Sequence, residues 1–231
     1  MSSKLPLDER RAQLLESALE LADRGGIGEV TTRAVAAAAG VSTGVVHYCF
    51  EGKEQLLTAM AERLIAELSE SAHRTYAAAR DTPQVTGRQG LCELIRTGLA
   101  GAWATIEANP NRRLLTYEIT THALRHRAAG SPLAGAVADE QYRIIAAEAT
   151  AFLDECAHRT DTAWTEPVPS VARLGLSALD GLVLRWLVDR DSDVIGRELD
   201  ILAHAVADKA VETTRLTAAP ERPEGADRAG W

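Results

Sequence analysis

Aromatic residues make up only 4% of this 231-residue chain, and no run of alternating apolar and polar residues bounded by hairpin turns occurs in it. Without strand signals an all-β sandwich or barrel is excluded. The three cysteines, Cys49, Cys92 and Cys156, are odd in number, far apart and free of any C-x-x-C spacing. They make no disulfide framework and fit a reducing compartment. The segment MSSKLPLDERR lacks the apolar stretch of a signal peptide. The most apolar run, Leu174 to Val188, has 15 residues and is interrupted by Asp180 and Arg185, too short and too charged to span a bilayer. A soluble, cytoplasmic protein with no membrane partner is therefore expected. Catalytic signatures are missing too: H-E-x-x-H, G-x-S-x-G, a Walker loop and G-x-G-x-x-G do not occur. No catalytic residue and no cofactor is assigned, and no enzyme is expected. Positive charge is also scarce. With 25 Lys+Arg against 33 Asp+Glu the formal net charge is −8, which by itself argues against a polyanionic partner.

What the chain has is helical periodicity. Hydrophobic residues make up 46% and charged residues 25%, the balance of a folded core rather than a disordered chain. Leu14, Leu15, Ala18, Leu19 and Ala22 form the stripe of an amphipathic helix between Asp8 and Arg24, and Gly25 and Gly26 stop it. Breakers divide the rest into further helices at about 32–39, 43–50, 53–79, 88–107, 111–127, 133–158, 170–189 and 193–216. The expected class is all-α with about nine helices. Short helices up to residue 52 suggest a small N-terminal module, and the long ones over 53–216 a larger helical body. The Pro-, Gly- and charge-rich tail 217–231 is expected to be disordered.

Residues 31–54 read TTRAVAAAAGVSTGVVHYCFEGKE. Thr31 is a good N-cap, the Val35/Ala36/Ala39 face is small enough for a close helix crossing, Gly40 supplies a tight turn, Val41 plugs the interior and Ser42 caps the next helix. Helix, glycine turn and helix form a helix-turn-helix, whose second helix enters the DNA major groove. A purely structural helix pair would not need the polar set Thr32, Arg33, Thr43, His47, Tyr48 and Lys53 beside so short an apolar seam.

This run, T-T-R-x-V-A-x-x-A-G-V-S-x-G-x-V-x-Y-x-F-x-x-K-E, resembles the DNA-binding signature of the TetR (tetracycline-repressor) family over about residues 8–60, and the nine-helix layout is similar to that family. The resemblance implies DNA contacts at Thr32, Arg33, Ser42, Thr43, Gly44, Val45, His47, Tyr48 and Lys53. Thr32 and Arg33 would hold phosphate at a helix N-terminus. Thr43, Gly44 and Val45 would face bases, Val45 against a thymine methyl. His47, Tyr48 and Lys53 would contact the DNA backbone. The family usually carries tyrosine where this chain has His47. Cys49 stands where the family often has an aromatic residue or histidine, and is expected to pack. No Arg, Asn or Gln on the second helix offers bidentate base reading, so specificity rests on small side chains, apolar contact and DNA shape.

The helix at 174–188 is apolar on nearly all sides and must be covered on more than one. Its Leu174, Leu179, Leu182, Val183 and Trp186, with Leu199, Leu202 and Val206 of the final helix, are the expected dimer interface. The family implies a four-helix bundle made by two protomers, which would place two recognition helices on a palindromic operator. It also implies a pocket for a small-molecule effector among the central helices, for which Trp103, Tyr117, Glu118, His122, Tyr142, Phe152 and Trp186 are the candidates. Aromatic faces beside Glu118 would suit a cation, the segment TYEITTHALR loosely resembles the choline-sensing branch of the family, and an apolar effector is equally open. His122 and His126 are four apart, as metal ligands on a helix can be, and Cys156-x-His158 raises the same thought; no acidic third ligand falls at suitable spacing, so no metal site is assigned.

The function expected is a homodimeric transcriptional repressor released from its operator by a small molecule. The alternatives are an activator on the same fold, and an all-helical small-molecule binding protein or enzyme without operator binding. Charge placement favours the first group. Residues 1–53 carry 6 basic and 7 acidic side chains, residues 54–231 carry 19 and 26, and no acidic residue lies between Glu29 and Glu51. The acidity belongs to the body, and the segment expected to meet DNA is free of it.

Overall fold

A computed structural model describes residues 5–80, 86–129 and 132–213. The tail 217–231 and most of the RDTPQ break lie outside the described residues. Within them the chain forms α1 (Leu7–Gly25), α2 (Thr32–Ala38), α3 (Thr43–Cys49), α4 (Lys53–Arg80), α5 (Gly87–Ala108), α6 (Pro110–Ala128), α7 (Pro132–Arg159), β1 (Thr162–Trp164), α8 (Val168–Asp189), α9 (Ser192–Ala207) and β2 (Ala210–Glu212). The all-α expectation holds, with helix boundaries within two residues except at the end of the last.

Local chemistry places most boundaries. Asp8 and Glu9 occupy the first turn of α1, where carboxylates complement the helix dipole. Pro110 opens α6 at a position whose N–H would be unpaired in any case. Thr31 Oγ1 accepts from Ala34 N–H at 3.1 Å, and Asp191 caps α9 by accepting from Val194 N–H at 3.0 Å. Ser42 stands at the N-cap of α3 without a side-chain bond; the turn is closed instead by Val41 N–H donating to Ala36 O at 2.9 Å, with Gly40 at φ 67°.

One expectation needs correcting. The last helix ends at Ala207 rather than near 216, and residues 210–212 pair antiparallel with 162–164, Ala163 opposite Val211. Thr165 N–H to Lys209 O (2.8 Å) and Thr213 N–H to Asp161 O (3.0 Å) continue the ladder. Three-residue strands are too short to show a period of two, and each depends on a partner far along the chain. Their apolar residues therefore read as a continuation of the helical spacing.

The buried residues form one core at the N-terminal end and two in the body. The first joins Leu14, Leu19, Val35, Val46 and Phe50 of the small helices to Leu56, Met60 and Leu64 of α4 and to Leu115 and Ile119 of α6. The second packs α5, α7, α8 and α9 around Leu91, Leu153, Val171 and Ala203. The third gathers Trp103, Ile106, Val183, Trp186, Ile195 and Leu199. So α4 and α6 both enter the core of the small module.

Candidate DNA-binding face and effector cavity

The helix pair α2–α3 is held from behind by α1. Arg11 donates to the Cys49 carbonyl, and its guanidinium lies 4.5 Å above the Phe50 ring. Gln13 Nε2 reaches the Ala39 carbonyl at 3.3 Å. With Val46 and Cys49 buried beneath it, α3 turns its other side outward: Ser42, Thr43, Gly44, His47 and Tyr48 are exposed, Tyr48 to 78%. Arg33 is exposed and Thr32 half-buried at the start of α2. Val45 is half-buried and packs partly on the core. Lys53 stands apart from this set, its ammonium donating to the Ile27 carbonyl at 3.1 Å.

A cavity of about 190 Å³ opens between α5, α6, α7 and α8, with Ser71 of α4 and Leu202 and Val206 of α9 on its wall. Its lining is mostly apolar: Ile95, Leu99, Ile106, Ile145, Phe152, Leu176 and Leu179. Gly98 makes room for Phe152, since a Cβ there would sit 2.5 Å from the ring. Its polar lining comprises Ser71, Thr105, Thr116, Thr120, Gln141 and Glu148 together with a half-buried pair in which Arg113 donates to the Asp180 carboxylate. Tyr117 Oη donates to the Asp180 carbonyl at 3.2 Å, and the Arg113 guanidinium lies 4.8 Å from the Tyr117 ring. Burial lifts the Asp180 carboxyl above the usual carboxylate range against the opposing pull of Arg113, and pushes the Tyr117 phenol up to about 12. Arg113 Nε has no hydrogen-bond partner among the described residues.

Of the expected pocket residues, Tyr117, Tyr142 and Phe152 line this cavity. Trp103, Glu118, His122 and Trp186 lie away from this cavity. Trp103 and Trp186 pack edge to face at 4.8 Å in the third core, where Trp186 Nε1 donates to Ser192 Oγ at 3.3 Å. Glu118 and His122 lie on the other face of α6, Glu118 turned to Ile27 of the small module and His122 to Glu54 at the start of α4. Arg113 and Asp180 were missed. Asp180 had a readable signal, a carboxylate set in the most apolar run of the chain; Arg113, beside Arg112, had none.

The face of α6 opposite the cavity clasps the small module. Arg112 pairs with Asp23 at 3.1 Å, Asn111 Nδ2 donates to the Asp23 carbonyl at 3.1 Å, and Glu118 accepts from Ile27 N–H at 2.8 Å. Gly26 has φ 76° and ψ 179°, and a Cβ on it would meet Glu118 Oε2 at 2.9 Å. Only glycine occupies that conformation without strain. Gly26→Ala should lower stability by about 1–3 kcal/mol and disturb the Glu118 clasp, read as a fall in the urea midpoint; an unchanged midpoint would show that the clasp carries no stability.

The residues expected at a dimer interface are distributed as follows in the single chain. Val183, Trp186, Leu199, Leu202 and Val206 are buried within this one chain, and Leu179 and Leu182 are half-buried on the same side. Of the expected set only Leu174 is exposed. The large apolar side chains left open on α8 and α9 are Leu174 (57%), Leu184 (52%), Val188 (75%), Val194 (38%) and Ile201 (67%). The helix is greasy on two sides, as its sequence indicates, but the residues that would have been given to a partner are those used by the monomer.

Residues 14–60 match the family model described as bacterial regulatory proteins, tetR family. The chain is 27% identical over 202 residues to the HTH-type nicotine-responsive transcriptional repressor HdnoR of Paenarthrobacter nicotinovorans, covering 87% of this chain and 95% of that one. It is 36% identical over 76 residues to the HTH-type transcriptional regulator BetI 2 of Chromohalobacter salexigens, a stretch that spans 32% of this chain and 37% of the relative. Among solved structures, a transcriptional regulator from Rhodococcus sp. Rha1 shares the fold, with TM-score 0.68, 19% identity, and coverage of 87% of this chain and 97% of that one.

Proposed function

From the match of residues 14–60 to the tetR family model and the likeness to the HTH-type repressor HdnoR along most of both chains, we infer that the protein is a homodimeric transcriptional repressor released from a palindromic operator by a small-molecule effector. The observation that carries the reading is the double engagement of α6. One face, with Arg113, Thr116, Tyr117 and Thr120, lines the cavity. The other, with Arg112, Leu115, Glu118 and Ile119, is built into the DNA-reading module of residues 1–52 and its core. A molecule that fits the cavity better when α6 has shifted draws the module with it and changes the spacing of the two recognition helices. Two half-sites about 34–36 Å apart are read only at one spacing.

The DNA-facing set is Thr32, Arg33, Ser42, Thr43, Gly44, Val45, His47 and Tyr48, with phosphate held by Arg33 and base edges met by the start of α3. Lys53, bonded to Ile27, acts by holding the module to the loop before α2. Dimerisation uses the exposed face Leu174, Leu184, Val188 and Ile201. The effector is a compact, largely apolar molecule whose hydrogen-bond acceptor meets Arg113 or the tyrosine hydroxyls. Nicotine, named in the Paenarthrobacter relative, is of that class and is the first probe to try. The organism's cytoplasm is the expected compartment; among the described residues no helix is long and apolar enough to cross a membrane.

Gel-shift and footprinting assays on the DNA flanking the protein's own coding sequence test the reading. A protected palindrome with a steep salt dependence is expected. Arg33→Ala should weaken binding evenly across sequences and reduce the salt slope by about 1. Absence of any protected site, with turnover of a bound ligand instead, would overturn it.

A further inference from the structure

His122 and His126 are one turn apart on α6, and the fold brings them an acid from a different helix. Glu54, in the first turn of α4, places Oε2 3.2 Å from His122 Nε2 and 4.0 Å from His126 Nδ1. One ligand atom from each of the three residues lies within 4.8 Å of the others, and the two imidazole rings are 4.2 Å apart. We propose that Glu54, His122 and His126 bind a divalent transition-metal ion, zinc foremost, which ties α6 to the start of α4.

The geometry is close to that of a bound site. Tetrahedral zinc takes imidazole nitrogen and carboxylate oxygen at roughly 2.0–2.2 Å, which sets neighbouring donor atoms about 3.3–3.5 Å apart. Glu54 and His122 are already at that spacing. His126 Nδ1, 4.0 Å from the carboxylate, has to close by about half an ångström on it, and the three donor atoms, now within 4.8 Å of one another, have to draw together to that spacing. Three protein ligands leave one position, which water can fill because Glu54 is exposed. Two imidazoles with a single carboxylate select zinc, nickel or copper over magnesium and calcium, which require more oxygen donors. Arg127, next to His126, is paired with Asp139 at 2.9 Å, so its charge is partly met before any ion enters.

The position gives the ion a consequence. Glu118, one turn before His122, accepts from Ile27 N–H, and Lys53, next to Glu54, donates to the carbonyl of the same residue. A bound ion adds a second clasp beside this one and favours the α6 position seen here. That regulatory consequence rests on the reading under Proposed function; the metal site does not.

Cobalt titration of the untagged, metal-free full chain, followed by visible absorption, tests the site together with zinc equilibrium dialysis. One ion per chain is expected, with a rise in Tm on zinc addition. Glu54→Gln, His122→Ala and His126→Ala should each weaken binding by more than about tenfold, whereas His204→Ala on α9 should leave it unchanged. Glu54 is exposed enough that Glu54→Gln keeps the fold, which circular dichroism verifies. Failure of the metal-free chain to take up a stoichiometric ion, or equal affinity in the three variants, would overturn the site. Stoichiometric zinc that leaves operator affinity unchanged would overturn the clasp. Loss of operator binding with metal uptake intact would count against the regulator reading alone.

Discussion

Leu184→Asp and Ile201→Asp should each yield a folded monomer that has lost operator binding by about 10²–10⁴-fold. The argument starts from exposure. Both side chains are more than half open to solvent in the single chain, so a carboxylate at either position meets water in the monomer and leaves the cores untouched. In the two-protomer bundle proposed above the same position would be covered by the partner, where a carboxylate would have no counter-charge. Surface substitutions away from packing contacts change monomer stability by less than about 0.5 kcal/mol, while an unpaired charge buried at an interface is disruptive. Operator affinity falls because the second half-site is no longer bound intramolecularly. Analytical ultracentrifugation and gel shift on the same preparations check both halves. A dimer that survives both substitutions would place the interface elsewhere. Val183→Asp, by contrast, should unfold the monomer, because Val183 is fully buried in the third core.

Arg113→Ala or Asp180→Ala should destabilise the fold by about 1–3 kcal/mol, as expected when one member of a half-buried pair is left without the other. The Arg113 side chain is largely buried, and burial already raises the Asp180 carboxyl. Removing Arg113 leaves that carboxylate desolvated with only Tyr117 to meet it. Replacing both partners with apolar groups of similar volume, Arg113→Met with Asp180→Leu, should restore stability or exceed it by about 1–4 kcal/mol. The same double variant should lose its response to the effector, since the cavity's polar anchor is gone. A double-mutant cycle by urea denaturation gives the coupling energy, and nicotine-induced change in Tm or in DNA binding reads the second effect. Additive single costs with no recovery in the double variant would show that the two residues act separately.

Much of this molecule was legible in the chain itself because the deciding interactions are local. The helix-turn-helix depends on the Thr31 cap, the Gly40 turn and the small Val35/Ala36 face, all within a dozen residues. The acid-free window from Val30 to Phe50 was readable for the same reason. Helix starts at Pro110 and Asp191 follow from which groups can satisfy or forgo a terminal N–H. Periodicity also showed that α8 is apolar on two sides.

What only the tertiary structure decided is which side faces which neighbour. A residue list along α8 cannot separate Val183, filled in by Trp103 and Leu199 of the same chain, from Leu184 one position on, because both are apolar and only the rotation of the helix distinguishes them. Likewise Glu118 and His122 are polar residues of a central helix and read as pocket candidates, yet α6 turns them to Ile27 and Glu54. The Arg113–Asp180 pair, the β1–β2 ladder and the Glu54–His122–His126 cluster join residues 67, 46 or more, and 68 or more positions apart. Sequence spacing fixes a direction around one helix axis; it carries no information about the partner that a packed core brings against it.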